Sequence, residues 1–222
     1  MEKIIIIGGK SSAILIADYI YDAQVKFGMP VEFLGFAYDD APPGSEINGF
    51  PVLCNVQEAY EKYKGAPEVK FIFQMYDIQR MSETIAYKDS LQIPDNRYCT
   101  FIHPSCFVAR SAEIGIGTII LAHSVVNAKA RIGKFNTLVS GVTVGHDAVV
   151  GDYNLIATQA IIANVMMGSR NFVGINTTTN NKITIGDDCQ IGMASNVVKD
   201  VPSGTKCFGN PAKPVDTPKR LR

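Results

Sequence analysis

The chain has 222 residues, 46% of them hydrophobic, with 21 basic and 21 acidic side chains and a formal net charge of zero. That balance removes the electrostatic case for nucleic acid or an anionic membrane surface as partner, and no stretch approaches the ~18 uninterrupted apolar residues of a membrane span. Five cysteines (Cys54, Cys99, Cys106, Cys189, Cys207) are scattered without CxxC spacing. They read as buried thiols of a cytoplasmic protein, not as a disulfide framework or a zinc site. The apolar run at the start is too short, and its glycine pair too early, for a secretory signal.

Lys3 to Ile7 is a β-branched run of strand length that ends in Gly8-Gly9-Lys10-Ser11-Ser12. Helical spacing follows (Ala13, Ile16, Ala17, Ile20, with Asp18 and Asp22 opposite), and Ser11 or Ser12 fits as N-cap. Strand, glycine turn and helix open a nucleotide-binding βαβ unit, in which helix N-terminal N–H groups receive phosphate oxygens. The motif is not a full G-x-G-x-x-G, and a tight βα turn without a ligand accounts for the same residues. Residues 31–36 read as a second strand, followed by Asp39 and Asp40 where carboxylates commonly meet a ribose or base. A short helix over 56–63, a third strand over 69–74 and a helix over 78–91 complete a small parallel α/β domain. Residues 92–100 read as linker, with the domain boundary between 98 and 99.

From Ile102 the chain repeats. Val108, Ile114, Ile120, Val126, Ile132, Leu138, Val144, Val150, Ile156 and Ile162 follow at a fixed step of six. One step of five reaches Met167, and the period resumes through Val173, Thr179, Ile185, Ile191 and Val197. Glycine often comes next, and a small residue four places on. A period of six fits neither helix nor simple strand; it fits three short straight segments closing a triangular coil of about 18 residues. Aliphatic residues then stack inside the prism, and glycine or asparagine is expected at the strained corners. The short step is expected to be a local adjustment in the wall, not the end of the coils.

This [Ile/Leu/Val]-Gly-x4 repeat resembles the hexapeptide acyltransferases, which implies a left-handed parallel β-helix over residues 99–222, C-terminal tail included. With the first domain (1–98) the chain is similar to a narrower group, sugar acetyltransferases that join a small Rossmann-like domain to such a helix. Ile6-Ile7-Gly8-Gly9, Gly35-Phe36-Ala37-Tyr38-Asp39-Asp40, Gly49-Phe50-Pro51-Val52-Leu53, Phe101-Ile102-His103-Pro104-Ser105, Val144-Gly145-His146-Asp147, Val173-Gly174-Ile175-Asn176 and Gly209-Asn210-Pro211-Ala212-Lys213 carry the likeness. It implies a homotrimeric, acetyl-CoA-dependent N-acetyltransferase acting on a nucleotide-linked (UDP-, GDP- or dTDP-) amino-deoxysugar in bacterial surface-glycan synthesis. It also implies a nucleotide-sugar site at Gly8, Gly9, Lys10, Ser11, Asp39 and Asp40. Where the family usually has Gly-Gly-His, this chain has Lys10-Ser11-Ser12. O-acetylation of a sugar or sialic acid, or a non-catalytic nucleotide-sugar-binding β-helix, are the alternatives.

Three histidines are candidates for the base that acyl transfer to an amine or hydroxyl requires. His103 follows an aliphatic knob with no acid beside it and reads as structural; His123 reads as a surface or subunit-contact residue. His146 precedes Asp147 at a corner, and the family likeness makes it the general base with Asp147 orienting it. Adjacent strand residues face opposite ways, so that pairing needs the corner. The separations of the histidines are not multiples of 18, which argues against a shared metal. By family position Gly174 supplies an N–H to the developing oxyanion. Gly192 and Ala194 leave room for the pantetheine arm, Lys199 and Lys213 meet the CoA phosphates together with Lys206, and Pro211 closes the groove.

Overall fold

Every aliphatic residue of the six-residue series from Val108 to Val197 is the second residue of a two-residue strand in the computed structural model, which describes residues 1–215. These strands stack into three parallel walls. The first runs Phe107–Val108, Val125–Val126, Thr143–Val144, Ile161–Ile162, Thr178–Thr179 and Asn196–Val197. The second runs Glu113–Ile114, Arg131–Ile132, Val149–Val150, Met166–Met167 and Thr184–Ile185. The third climbs from Ile119–Ile120 through Thr137–Leu138, Leu155–Ile156, Phe172–Val173 and Gln190–Ile191 to Lys206–Phe208, where Lys213–Pro214 pairs antiparallel. From Ile120 to Val197 the inward residues are buried, Thr179 among them.

The short step between Ile162 and Met167 is absorbed without a break. Val149 pairs with Met166, Leu155 with Phe172 and Ile161 with Thr178, each one residue closer than the usual spacing. Ile162 and Val165 stay buried, whereas Ile161 and Met166 face outward at 46% and 55% exposure.

The corners correct one expectation. Left-handed backbone falls on the third residue after most of the aliphatic ones, and most of these are not glycine: His123 (φ 62), Lys129 (φ 61), Asp147 (φ 58), Tyr153 (φ 57) and Arg170 (φ 60) are among them. Such a backbone costs roughly 1–2 kcal/mol outside glycine. A hydrogen bond to the previous coil offsets it, as when Asp147 N–H donates to the Ala128 carbonyl (3.0 Å) and Tyr153 N–H to that of Lys134 (2.9 Å). The repeat glycines serve close approach instead. Gly115, Gly133, Gly151, Gly168 and Gly186 form one column, in which a Cβ on Gly151 would sit 2.7 Å from the Gly168 carbonyl oxygen.

A polar column runs inside the prism. Asn136, Asn154 and Asn171 are 0%, 1% and 0% exposed. Asn136 Oδ1 accepts the backbone and side-chain N–H of Asn154, Asn154 Oδ1 accepts the Asn171 N–H, and Asn171 Oδ1 accepts that of Cys189. Each amide thus satisfies the coil above it.

The N-terminal unit spans Met1–Pro104, and a second begins at Ser105. Strand β1 (Glu2–Ile7), helix α1 (Ser12–Phe27), β2 (Val31–Ala37), β3 (Glu46–Ile47), β4 (Phe50–Cys54), α2 (Ala59–Tyr63), β5 (Val69–Phe73) and α3 (Met81–Ser90) follow in order. The sheet order is β3-β4-β2-β1-β5, parallel except for the β3–β4 hairpin, and Ile4 to Ile7 of β1 are wholly buried. The hairpin was absent from the sequence reading, and the helix expected over 56–63 divides into a 3-10 turn (Val56–Glu58) and α2. Among the described residues no helix is long and apolar enough to cross a membrane.

Residues 92–100 are not a free linker. The buried Arg97 guanidinium donates to the carbonyls of Tyr63, Lys64, Ala66 and Val69, and Cys99 N–H donates to that of Phe71. These contacts bind the stretch to α2 and β5, which places the division after Pro104 instead of after residue 98.

Candidate functional site

His146 and Asp147 turn the corner between the first and second walls. Gly145 before them packs against the next coil, where a Cβ would lie 2.9 Å from the Ala163 carbonyl carbon. Left-handed backbone at Asp147 then swings its carboxylate beside the ring it follows, and His146 Nδ1 lies 2.7 Å from Asp147 Oδ2. This is the geometry a straight strand would forbid. The hydrogen bond from His146, opposed by slight desolvation, holds the Asp147 carboxyl below the usual carboxylate range. An ionised carboxylate only accepts, so in the neutral ring this contact favours the tautomer with the proton on Nδ1 and the lone pair on Nε2.

The other histidines occupy different settings. His103 is 1% exposed among the rings of Tyr19, Phe27 and Phe101, with Nε2 3.3 Å from Asp22 Oδ2. His123 is exposed at a left-handed corner, its N–H donating to Ser105 Oγ. Among the described residues no three His, Cys, Asp or Glu side chains converge as metal ligands.

In the N-terminal unit, Gly8, Gly9, Lys10, Ser11 and Asp40 line one cleft of ≈ 270 Å³ with Ser12, Tyr38, Gln74, Met75 and Tyr76. That is near the roughly 300 Å³ lower end of small-ligand sites. Both glycines have a packing reason: a Cβ on Gly8 would meet the Gln74 carbonyl at 2.7 Å, and one on Gly9 the Tyr38 ring at 2.6 Å. Lys10 Nζ reaches Asp40 Oδ2 (2.6 Å), which also accepts the Tyr38 hydroxyl (2.8 Å). Asp40, with Tyr38, therefore raises the Lys10 pKa, and Lys10, with Tyr38, depresses that of Asp40.

Two expectations shift here. Ser11 precedes α1 at φ 46 without a side-chain cap, and Ser12 Oγ accepts the Gln74 amide instead (2.9 Å). Asp39 is committed elsewhere, since its Oδ1 accepts the Val56 N–H (2.8 Å) at the 3-10 turn. Tyr38 and Gln74, which sequence reasoning missed, directly follow β2 and β5, the strand-end positions where such sheets place ligands.

The expected CoA residues divide between places. Gly192 lies with Phe172, Gln190, Lys206, Cys207 and Phe208 around an apolar cleft on the third wall. Gly174 stacks on it, a Cβ there falling 2.5 Å from Met193 N. Ala194 takes a left-handed corner, its N–H donating to the Ile175 carbonyl. Lys199 lines a second cleft with Val201, Pro202, Ala212 and Pro214. Pro211 follows a cis peptide bond, and Lys213 pairs with Phe208.

No family model matches the chain. An acyl-[acyl-carrier-protein]–UDP-N-acetylglucosamine O-acyltransferase of Thiobacillus denitrificans is 33% identical over 85 residues, 38% of this chain and 33% of that protein. The chain thus spans about a third of that relative's length. Solved structures align over nearly all of it. The acetyltransferase domain of PglB from Neisseria gonorrhoeae gives a TM-score of 0.81 at 24% identity, covering 97% of this chain and 100% of that one. The chain has the fold of that acetyltransferase. Perosamine N-acetyltransferase from Caulobacter crescentus, solved with CoA and GDP-perosamine, gives 0.79 at 22% identity over 98% of each chain. The PglB domain is also known with acetyl coenzyme A (TM-score 0.73, 24% identity, 96% and 99% covered).

Proposed function

We propose that this chain is an acetyl-CoA-dependent N-acetyltransferase acting on a nucleotide-linked amino-deoxysugar, with His146 as general base. The observation that carries the reading is the His146–Asp147 contact of 2.7 Å at a left-handed corner. It favours, in the neutral ring, the tautomer whose Nε2 can take a proton. The neutral amine attacks the thioester carbonyl carbon; Nε2 accepts the ammonium proton as the C–N bond forms. The C–S bond then breaks, and the imidazolium, steadied by Asp147, returns its proton to the departing thiolate.

The N-terminal unit is read as Rossmann-like, with the Lys10–Tyr38–Asp40–Gln74 cleft for the nucleotide. The prism is read as left-handed, with the Gly192–Lys206–Phe208 cleft for part of CoA: apolar walls suit pantetheine or adenine, and Lys206 suits a phosphate. A structural neighbour solved with CoA and GDP-perosamine supports a chain of this fold taking both kinds of ligand. The protein is read as a cytoplasmic homotrimer; exposed apolar side chains on the prism, including Ile161, Met166, Ile175 and Met193, support self-association.

The test mixes the protein with acetyl-CoA and a panel of UDP-, GDP- and dTDP-linked amino and hydroxy sugars, with free thiol as readout. Release with amino sugars only is the expected result. Release with hydroxy sugars moves the reading to O-acetylation, and none with any acceptor ends it.

A further inference from the structure

Proton transfer accounts for the dyad but not for the cleft it borders. Asp147 forms one wall of a polar cleft of ≈ 280 Å³ whose other walls are Ser111, Glu113, Lys129 and Arg131. Ser111, Lys129 and Asp147 occupy the same corner position of successive coils, and Ser111 Oγ accepts the Lys129 N–H (3.1 Å). Arg131 opens a two-residue strand in register with Glu113; its neighbour Ile132 is buried, so Arg131 faces out. Among the described residues Lys129, Arg131 and Glu113 form no ion pair, while Asp147 is already engaged by His146. Two cations, two residues apart, therefore line a cleft that shares a wall with a base.

We propose that Lys129 and Arg131 form an acceptor subsite for an anionic oxygen group, a phosphate or a carboxylate of the molecule whose amine His146 deprotonates. This rests on the proposed function. A guanidinium grips two such oxygens at once and an ammonium a third, which fixes the acceptor in one orientation beside the ring. The same two charges disfavour an ammonium nearby and so enlarge the neutral fraction of the attacking amine. Glu113, in register with Arg131, accepts a sugar hydroxyl.

The test needs no turnover. His146 is exposed enough for carbethoxylation by diethyl pyrocarbonate, and exposed His123 in the same protein serves as the reference. Modification is followed by peptide mass spectrometry in the full chain, with inorganic pyrophosphate or glucuronate as protecting anion. Pyrophosphate slowing His146 but not His123 identifies phosphate as the group held; glucuronate doing so identifies a carboxylate. Protection should vanish in K129Q/R131Q and weaken in R131K, which keeps the charge but loses the fork. No protection by either anion, or protection unchanged in the double variant, overturns the subsite. With an active acceptor, K129Q/R131Q should raise its KM on the order of tenfold, the worth of a charge-assisted hydrogen bond, and leave KM for acetyl-CoA alone. Failure of every acceptor sinks the proposed reaction, yet the protection experiment still decides the subsite.

Discussion

Asn136 Oδ1 accepts two hydrogen bonds from Asn154, one from its backbone N–H at 2.8 Å and one from its side-chain amide at 2.9 Å. Asn154 in turn offers its own Oδ1 to the Asn171 N–H. Asn154→Ala leaves Asn136 Oδ1 with one donor instead of two and the buried Asn171 N–H without its Asn154 partner, the latter worth about 1–3 kcal/mol. Denaturant melts should show a loss in that range, and a variant as stable as wild type would refute the column's role.

Gly151 makes a separate stability test, because its problem is space. Gly151→Ala directs a methyl group at the Gly168 carbonyl and the Ser169 hydroxyl. The coils must separate or the strand must shift, at a cost of about 1–3 kcal/mol. A crystal structure of the variant should show the displacement at residues 168–169, and calorimetry should show a lower Tm.

The catalytic test centres on the dyad. His146→Ala should lower turnover by ~10²–10⁴, the usual worth of a positioned base. His146→Asn should do the same, since it bonds but does not titrate. Asp147→Asn should cost less, because the ring survives and only its orientation and tautomer suffer. Folding should persist in all three, for both side chains are exposed at 69% and 49%. A His146→Ala enzyme keeping more than about a third of wild-type turnover, far above that range, would end the assignment.

Acid should act on the Lys10–Asp40 pair in a defined direction. The Asp40 pKa is depressed in the folded protein, first by Lys10 and then by Tyr38. Its contribution is therefore present above the unfolded carboxylate value and is lost as pH falls through the lower, folded one. Carbon-detected NMR titration should find Asp40 below the ordinary ~3.9 of aspartate. Lys10→Ala should move it upward, and raise KM for the sugar nucleotide with little change for acetyl-CoA. A titration unmoved by that substitution would mean that the contact does not persist in solution.

What was legible depended on whether spacing alone carries the information. The inward residues from Val108 to Val197 could be read because a chain wound at constant pitch writes its period into its own numbering. The His146–Asp147 corner was readable for the same reason. Strand β4 was not, since Pro51 lies inside it and proline reads against a strand. Its neighbour Val52 donates to Ser45 instead, which lets the hairpin form. The asparagine column was hidden by chemistry: amides read as surface, although Asn136, Asn154 and Asn171 recur at the coil length. The role of Asp39 depends on where Val56 folds back, a tertiary fact with no local signal.

Each wall of the prism joins a strand to one lying 16, 17 or 18 residues further on. No pairing within it asks distant stretches of chain to find one another. Coils of this kind add to an existing edge as links are added to a chain, and the barrier is the first coil, which has nothing to rest upon. Deviations in length are absorbed coil by coil, at the corners, so the shortened coil after Ile162 does not prevent winding of the next. The prism is thus a column whose height is adjustable in steps, and whose candidate site is addressed by the coil on which it stands.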